Sequence, residues 1–346
     1  MGIEIWESEA VMTILVTGGC GFIGTNFISN WFQQTEEHII NIDCMTYAAN
    51  KASINNPPHK NLINLNVDIA DSQAVGEIFY AHHPRAIVHF AAETHVDNSI
   101  QQTDQFVKTN VLGTHNLIKI CKDQISQNNL CKDFVFVHIS TNEVFGHLNK
   151  KDPPFTEQTK YNPRNPYSAS KAAADHLLRS FIATYDFPAV ILNCCNNFGP
   201  FQHEEKLIPK VINNIINQKP IPIYGKGEQI REWIYAEDFG KAILKVLKHS
   251  KIRESYNIGS GKEYKNIDLT HLICELMDQK LELKQTSKNL ITYVTDRPGH
   301  DFRYAMNSDK IKKHLNWKSE TSFEEALDKT IDYYLNQNQS KKAAYL

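Results

Sequence analysis

The sequence predicts an α/β fold in which a doubly wound parallel sheet is joined to a smaller, interleaved C-terminal domain. Over residues 13–196 of the 346-residue chain, short apolar and β-branched runs alternate with helix-length segments. Such short and almost uniformly apolar runs are typical of strands that helices cover on both faces. The repeated strand–helix order favours parallel strands with right-handed crossovers.

Six strands and four helices account for this first part of the chain. Each strand ends near turn residues or polar residues, which mark the boundary with the following helix. We predict strands at residues 13–17, 38–43, 62–68, 86–90, 134–140 and 189–195. The predicted helices lie at 22–34, 72–82, 106–122 and 168–185.

The pattern changes after residue 196, where prolines and glycines interrupt shorter helices and strands. Turn residues such as Pro200, Pro209, Pro220 and Gly225 indicate a separate, smaller unit. The ends of the chain lack this patterning, and we expect them to be flexible. The predicted division is a first domain at 13–196 that also receives 235–260, a second domain at 197–234 and 261–335, and flexible ends at 1–12 and 336–346.

Composition and charge argue against several classes of protein. A net charge of −2 gives no signature of polyanion binding, so we do not expect nucleic acid as a partner. The chain has no apolar run of about 20 residues that would span a membrane, and its N-terminus lacks the pattern of a signal peptide. The seven cysteines are scattered without Cys-x-x-Cys spacing. We therefore expect reduced thiols in a cytoplasmic protein and no metal site.

A glycine-rich turn after the first strand points to dinucleotide binding. Gly18, Gly21 and Gly24 follow a G-x-x-G-x-x-G spacing between a strand and a helix. In such turns one glycine permits the tight bend, another lets a pyrophosphate approach the backbone, and a third lets helix and strand pack closely. The N-terminus of the helix then faces the phosphates. An isolated glycine motif also fits an ordinary strand-to-helix turn, so its context decides.

Asp43 supplies that context, because it ends the second strand roughly 20 residues after Gly24, the separation typical of dinucleotide-binding folds. A carboxylate at this position can accept hydrogen bonds from both ribose hydroxyls and repels a 2′-phosphate, which favours NAD over NADP. Further cofactor contacts are expected at the ends of the third and fourth strands, at Asp68, Ile69, Ala91 and Ala92.

Two short runs in the middle of the chain carry side chains suited to catalysis. In Tyr167-x-x-x-Lys171 the tyrosine and the lysine lie one helical turn apart on the same face. A nearby ammonium favours the tyrosinate, so Tyr167 could act as a base on a sugar hydroxyl. An exposed aromatic residue beside an exposed lysine would give the same pattern. Thr141 argues for the catalytic alternative, because it closes a strand at the edge where open α/β sheets bind ligands.

Together these motifs resemble the extended short-chain dehydrogenase/reductase family. The segments 17–24 and 167–171 carry that resemblance, and the runs at 90–97, 196–200 and 296–301 narrow it to the 4,6-dehydratases of nucleotide-diphosphate hexoses. The resemblance covers about residues 13–335. It implies a Rossmann domain with tightly bound NAD, a dTDP- or UDP-hexose substrate and a homodimer.

The resemblance also implies a reaction in three stages: oxidation at C4, elimination of water across C5 and C6, and return of the hydride to C6. In that reaction Thr141 would hydrogen-bond the C4 oxygen, Tyr167 would remove its proton and Glu143 would take the C5 proton. The family's acid for the departing C6 hydroxyl matches Asn142. An amide cannot donate a proton as an acid does, so elimination is the step that this change affects.

The amide at position 142 leaves several functions open. Other dehydratases of the same clan carry Thr-Ser-Glu here, so Glu143 could act as base and then as acid while Asn142 holds the C6 oxygen. Alternatively, the C6 chemistry is lost and the protein is an epimerase, a decarboxylase or a non-catalytic NAD-binding regulator. The presence of Glu143 argues against an epimerase. The later substrate-binding runs argue against a decarboxylase, and the intact catalytic set argues against a regulator.

The remaining site residues are predicted from the resemblance alone. Arginines among them suit a diphosphate, because a guanidinium group gives bidentate hydrogen bonds. The expected cofactor site is Gly18, Gly21, Phe22, Ile23, Gly24, Asp43, Thr46, Asp68, Ile69, Ala91, Ala92, His95, Thr109, Tyr167, Lys171 and Asn197. The expected substrate site is His95, Thr141, Asn196, Glu205, Lys206, Leu207, Pro222, Tyr224, Arg231, Asn266, Arg297 and His300. The expected catalytic set is Thr141, Asn142, Glu143, Tyr167 and Lys171.

Overall fold

The structure is a computed structural model that describes residues 12–50, 59–127, 129–130, 133–249 and 252–343. Most of the predicted flexible ends, residues 1–11 and 344–346, lies outside the described residues. Within the described ranges no helix is long and apolar enough to cross a membrane. The same ranges contain no group of three or more His, Cys, Asp or Glu side chains that could hold a metal ion.

Seven parallel strands form the central sheet, which confirms the predicted fold class. The first six agree with the predicted strands to within two residues at either end. The seven strands are β1 (Thr13–Thr17), β2 (His38–Asp43), β3 (Leu62–Asn66), β4 (Ala86–His89), β5 (Val135–Thr141), β6 (Ala189–Cys194) and β10 (Glu254–Ile258), which comes after three further strands along the chain. Their order across the sheet is β10-β6-β5-β4-β1-β2-β3.

Helices cover both faces of this sheet, because successive side chains of each strand point in opposite directions. In β1, Ile14 and Val16 belong to one apolar cluster and Leu15 to another. The first cluster packs under α1 (Phe22–Gln34) and α8 (Ala236–His249), and the second packs under α2 (Ser72–His82), α5 (Thr114–Ser126) and α6 (Pro166–Tyr185).

The predicted helix at 106–122 is helical throughout, but residues 107–113 are π-helical and not α-helical. The structure has two short helices, α3 (Val96–Gln101) and α4 (Thr103–Phe106), then a π-helical segment at Val107–Gly113 that leads into α5. Within that segment, the Asn110 amide accepts a hydrogen bond from the Glu93 backbone and donates one to the Ser170 hydroxyl. Apolar periodicity does not reveal such a wider turn, and π-helical turns are frequent at functional sites.

A second core lies beside the central sheet. It contains a three-stranded sheet of β7 (Asn196–Phe198), β9 (Ile230–Tyr235) and β11 (Glu263–Lys265), and a pair of β8 (Ile221–Tyr224) with β12 (Ile291–Val294). Apolar side chains of these strands pack against three helices. The helices are α7 (Leu207–Ile216), α9 (Asn266–Lys280) and α11 (Phe323–Ala343), and α10 (Asp309–Leu315) packs on the first core.

The chain passes between the two cores several times. It leaves the central sheet after β6, builds part of the second core, and returns through α8 to β10, which lies within the segment 235–260. The C-terminal end differs from the expectation of a flexible segment from residue 336. Helix α11 continues to Ala343, and Asn338 donates a hydrogen bond of 3.2 Å to Asn213 on α7.

Candidate active site

A cavity of about 290 Å³ opens at the carboxyl ends of the central strands. From β1 the chain builds β2 and β3 on one side, and then crosses to β4 on the other side. Open α/β sheets bind ligands at the point where the strand order reverses in this way. Residues at the ends of β1, β2, β4, β5 and β6 line the cavity.

The glycine turn after β1 forms one wall, and its geometry requires glycine. Gly18 has a φ of +71°, and a Cβ atom there would lie 2.6 Å from the backbone nitrogen of Ala91. A Cβ at Gly24 would overlap the carbonyl oxygen of Gly18. Helix α1 begins directly after this turn with Gly21 as its N-cap, and no side chain caps it. The backbone amides of its first turn are therefore open to a phosphate group.

Asp43 lies at the end of β2 with its carboxylate fixed by the backbone. One oxygen accepts a hydrogen bond of 3.0 Å from the amide of Cys20, and the other accepts one of 2.9 Å from the amide of Met45. This arrangement suits the ribose-binding role that the sequence predicts. Asp68, in contrast, does not line the cavity; it accepts a hydrogen bond of 3.1 Å from Lys108.

Helix α6 presents Tyr167 and Lys171 to the opposite wall. Asn165 caps this helix by accepting a hydrogen bond of 2.8 Å from the amide of Ser168, and Pro166 occupies the first turn. Both catalytic candidates are buried, with Tyr167 8 % and Lys171 4 % exposed. The Lys171 ammonium donates a hydrogen bond of 2.8 Å to the carbonyl oxygen of Ile139 in β5.

The run from Thr141 to Glu143 turns sharply at the end of β5. The Thr141 hydroxyl accepts a hydrogen bond of 3.2 Å from the Glu143 amide and donates one of 3.3 Å to the side-chain oxygen of Asn142. Asn142 is 2 % exposed, and its Nδ2 has no hydrogen-bond partner among the described residues. A buried amide group of this kind is free to donate to a ligand in the cavity.

Electrostatics in the site differ in one respect from the expectation. Burial raises the pKa of Tyr167 well above its ordinary value, and the neighbouring Glu143 raises it further. The expected lowering by Lys171 is therefore outweighed. Burial also raises the pKa of Glu143, although the positive charge of Arg231 opposes this effect. Glu143 accepts a hydrogen bond of 3.2 Å from the Ser168 hydroxyl, which orients its carboxylate.

Two clusters of predicted substrate residues lie beside the cavity. In the first, the Lys206 ammonium donates to the carbonyl oxygen of Thr94 at 3.2 Å, and Glu205 lies 3.5 Å from the ring nitrogen of His95. Residues 205 and 206 line the cavity, whereas His95 does not. This cluster joins the loop after β4 to the segment that precedes α7.

The second cluster contains three predicted residues, Tyr224, Arg297 and His300. The Arg297 guanidinium lies 4.9 Å from the centre of the Tyr224 ring and 3.2 Å from the carboxylate of Asp97 on α3. His300 lies 2.6 Å from Asp296. Asp97 was not predicted as a site residue; its place directly after His95 and Val96 in the run at 90–97 was the available signal.

Arg231, which the resemblance assigns to the diphosphate side of the substrate, is buried and bonded within the protein. Its guanidinium donates hydrogen bonds of 2.8 Å to the carbonyl oxygens of Ile230 and Asp301, and lies 4.4 Å from the centre of the Tyr304 ring. Asn266 begins α9, and its side-chain oxygen has no partner among the described residues.

The structure brings most, but not all, of the predicted residues to one cavity. Those lining it are Gly18, Gly21, Phe22, Ile23, Gly24, Asp43, Thr46, Ile69, Ala91, Ala92, Thr109, Thr141, Asn142, Glu143, Tyr167, Lys171, Asn196, Asn197, Glu205 and Lys206. Those that do not line it are Asp68, His95, Leu207, Pro222, Tyr224, Arg231, Asn266, Arg297 and His300. Lining residues that the sequence reasoning missed include Cys44, Glu93, Thr94, Cys194, Gln202 and His203. Proximity to strand ends was the signal for Cys44, Glu93, Thr94 and Cys194.

Comparison with known proteins places this geometry in context. The model of the family GDP-mannose 4,6 dehydratase matches residues 15–330. The dTDP-glucose 4,6-dehydratase of Shigella flexneri is 44 % identical over 335 residues, which cover 94 % of this chain and 93 % of that protein. The enzyme of the same name from Escherichia coli K12 is 44 % identical over 336 residues, with the same coverage of both chains.

Solved structures show the same similarity. The dTDP-glucose 4,6-dehydratase of Streptomyces venezuelae, with NAD and TYD bound, superposes with a TM-score of 0.87 at 34 % identity and covers 95 % of this chain and 98 % of its own. The Bacillus anthracis enzyme of the same name, in complex with NAD, gives a TM-score of 0.83 at 34 % identity, with 95 % and 98 % coverage. A UDP-glucose 4-epimerase from Thermotoga maritima gives a TM-score of 0.83 at 24 % identity over 94 % of this chain and 100 % of its own, a likeness of fold alone.

Proposed function

Because the chain belongs to the GDP-mannose 4,6-dehydratase family, we propose that it is an NAD-dependent 4,6-dehydratase that converts dTDP-glucose to the 4-keto-6-deoxy sugar nucleotide. The observation that carries this proposal is the position of the Glu143 carboxyl group in the catalytic cavity. Glu143 lines the same cavity as Thr141 and Tyr167, and α6 orients it through Ser168. A base placed beside the alcohol-oxidising residues is needed for elimination, whereas epimerisation at C4 does not require it.

The cavity fits NAD on the cofactor side. Because Gly18 has no side chain, the turn after β1 can lie close to the Ala91 backbone. The uncapped first turn of α1 suits the pyrophosphate. Asp43 would hold the adenosine ribose, and Lys171 and Tyr167 would lie at the nicotinamide end. When bound, NAD accepts the hydride from C4 of the sugar and later returns it at C6.

The residues of this chain would handle the protons. Thr141 would hydrogen-bond the C4 oxygen while Tyr167 accepts the C4 hydroxyl proton. The C4 ketone makes the C5 proton acidic, and Glu143 would remove it. The raised pKa of Glu143 suits this task, because the same group could then return the proton to the departing C6 hydroxyl. Asn142, through its unpaired Nδ2, would hold the C6 oxygen by a hydrogen bond but transfer no proton.

The direct test is incubation of the purified protein with dTDP-glucose, and with UDP- and GDP-hexoses for comparison, followed by mass spectrometry. We expect a dTDP-sugar product that is lighter by one water, about 18 Da, together with solvent deuterium at C5, as elimination chemistry requires. A product of unchanged mass without exchange at C5 would replace the proposal by the epimerase alternative. If the protein binds NAD but converts no sugar nucleotide, the alternative of a non-catalytic NAD-binding regulator would replace the proposal.

Substitution of Asn142 separates hydrogen-bonding from proton transfer at C6. We expect Asn142→Asp to keep or raise the rate of elimination, because it restores a side chain that can donate a proton. Asn142→Ala should lower elimination, because it removes the hydrogen bond, while C4 oxidation persists. Elimination and oxidation are separated by the mass of the released sugar and the absorbance of reduced nicotinamide. Equal elimination rates in the wild type and the Asn142→Ala variant would refute the role of the amide.

Cofactor selection should follow from Asp43. We expect NAD to bind at least about tenfold more tightly than NADP, a difference of about 1.4 kcal/mol, because the fixed carboxylate would repel a 2′-phosphate. Asp43→Asn removes the charge but keeps an oxygen acceptor, so it should narrow this ratio. Calorimetric titration of cofactor-free protein measures both affinities. Tighter binding of NADP than of NAD by the wild type would contradict the assignment.

We also propose a homodimer in the cytoplasm. Large apolar side chains are exposed on neighbouring elements that flank the cavity, where Ile100, Val107 and Leu112 are 43–53 % exposed. Such side chains on adjacent helical segments suit a helix–helix interface with a second copy. The six described cysteines are free thiols, which fits a reducing compartment.

A further inference from the structure

A buried carboxylate with no part in the proposed proton transfers lies behind the catalytic residues. Asp175 is 0 % exposed and follows Lys171 by one turn of α6, on the face that also carries Tyr167. Its Oδ2 accepts hydrogen bonds of 2.8 Å from the hydroxyls of Ser140 and Tyr161. The Asn193 amide donates a third bond of 3.3 Å to the same oxygen. All three donors are neutral, so these bonds do not compensate the buried charge.

Lys171 has the complementary requirement. Its ammonium is buried, and the Ile139 carbonyl to which it donates is neutral, so that contact cannot balance the charge. Burial lowers the pKa of Lys171, and the Asp175 carboxylate acts in the opposite direction. Burial would raise the pKa of Asp175, but His138 and Lys171 outweigh it and lower that pKa. Asp175 thus supports the charged form of Lys171, and Lys171 and His138 both support the charged form of Asp175.

We propose that Asp175 is a positioning residue of the active site: its carboxylate is the counter-ion of the buried Lys171 ammonium and keeps that lysine charged beside Tyr167. The catalytic consequence rests on the proposed function, whereas the charge pair itself does not.

His138 and Cys194 are the neighbours that could otherwise balance the pair. The His138 ring nitrogen lies 3.1 Å from Asp175, but burial lowers the pKa of His138 and favours the neutral ring. Burial raises the pKa of the Cys194 thiol to about 12, so it supplies no negative charge to Lys171. The remaining titratable groups facing the pair are Tyr161, which Arg179 hydrogen-bonds, Tyr167 and His89.

A double-mutant cycle of stability tests the pair without any need for catalysis. Asp175→Asn leaves the ammonium uncompensated, and Lys171→Met leaves the carboxylate uncompensated, whereas the double variant carries neither charge. If the two single-variant shifts in melting temperature were additive, their sum would give the melting temperature of the double variant. We expect the double variant of the full chain to melt above that value. Additive shifts would overturn the proposal. If Asp175→Asn does not fold, folding of the double variant supports the pair and its failure to fold rejects it.

The pH dependence of stability separates a counter-ion from a hydrogen-bonding anchor. Without Asp175, the folded pKa of Lys171 falls further below its unfolded value, so the unfolded state binds more protons and stability rises with pH. The loss of stability that Asp175→Asn causes relative to the wild type should therefore shrink as pH rises towards 10.5, the ordinary pKa of lysine. Tyr161→Phe removes one hydrogen bond to Asp175 but no charge, and its deficit should not shrink over the same range. If both variants lose the same stability at every pH, Asp175 is only a hydrogen-bonding anchor and the counter-ion proposal is wrong.

The catalytic role is tested by rescue. Asp175→Asn should lower kcat for C4 oxidation at least about tenfold, since one close opposite charge shifts a pKa by about one to three units. Asp175→Glu, which keeps the charge, should recover most of that loss, and KM for the sugar nucleotide should change little. A wild-type kcat in Asp175→Asn would refute the positioning role. Absence of turnover in the wild type would count against the proposed function instead, and the stability cycle would still decide the charge pair.

Discussion

Replacement of Tyr167 by phenylalanine should lower the rate of C4 oxidation by about 100- to 10,000-fold, the usual cost of losing a general base. The ring keeps its packing against Phe106, so the fold should be nearly unchanged. The measurement is the rate at which substrate addition produces the absorbance of reduced nicotinamide in a single turnover. Oxidation at the wild-type rate would show that another group takes the C4 proton.

Two controls make this result specific. Tyr256→Phe removes the hydroxyl of another buried tyrosine, which lies outside the cavity, and should leave the oxidation rate unchanged. The second control is pH. Because burial and Glu143 raise the pKa of Tyr167, its hydroxyl is protonated near neutral pH, and the wild-type rate should rise as pH rises. Tyr167→Phe should lose that dependence.

Replacement of Glu143 by glutamine should separate oxidation from elimination. We expect the variant to form reduced nicotinamide from dTDP-glucose but to release no dehydrated sugar, because glutamine cannot accept the C5 proton. Loss of a general base predicts a fall in elimination of about 100- to 10,000-fold. The absorbance of reduced nicotinamide measures oxidation. Deuterium exchange at C5 and the mass of the released sugar nucleotide measure elimination.

The matched control for Glu143 is a carboxylate outside the cavity. Glu254→Gln breaks an ion pair with Lys310 at the edge of the central sheet and should leave both steps intact. If Glu143→Gln still exchanges the C5 proton at the wild-type rate, the base is another residue. If both Glu143→Gln and Asn142→Ala retain elimination, neither side chain handles the C6 hydroxyl.

The sequence predicted that the central strands form a parallel sheet, but it did not predict their order across the sheet. Runs such as 13–17 and 189–195 are almost wholly apolar, which indicates burial on both faces and hence a parallel sheet. The π-helical break at Val107–Gly113 could not be predicted, because the segment keeps its apolar spacing while Asn110 bonds to Glu93 and Ser170 through the wider turn.

The candidate site shows a similar division. Gly18 and Asp43 were identifiable from their places at the ends of the first two strands. Tyr167 was identifiable because Lys171 follows it by one helical turn. The direction of the Tyr167 pKa was not predictable, since sequence spacing reports Lys171 as a neighbour but reports neither burial nor the approach of Glu143. The bond from Arg231 to the Asp301 carbonyl was equally hidden, because Asp301 belongs to a distant segment of the chain.

The return of the chain to the central sheet ties the two cores together. Strand β10 pairs with β6 only after the polypeptide has built β7 to β9 of the second core. A fragment that ended at residue 196 would therefore leave the backbone hydrogen-bonding groups of β6 exposed along an apolar edge, a surface prone to aggregation. Strand β7 couples the cores further, because Asn197 faces the cavity while Phe198 packs against Phe323. A destabilising change in the second core would thus reach the catalytic cavity through a strand of three residues.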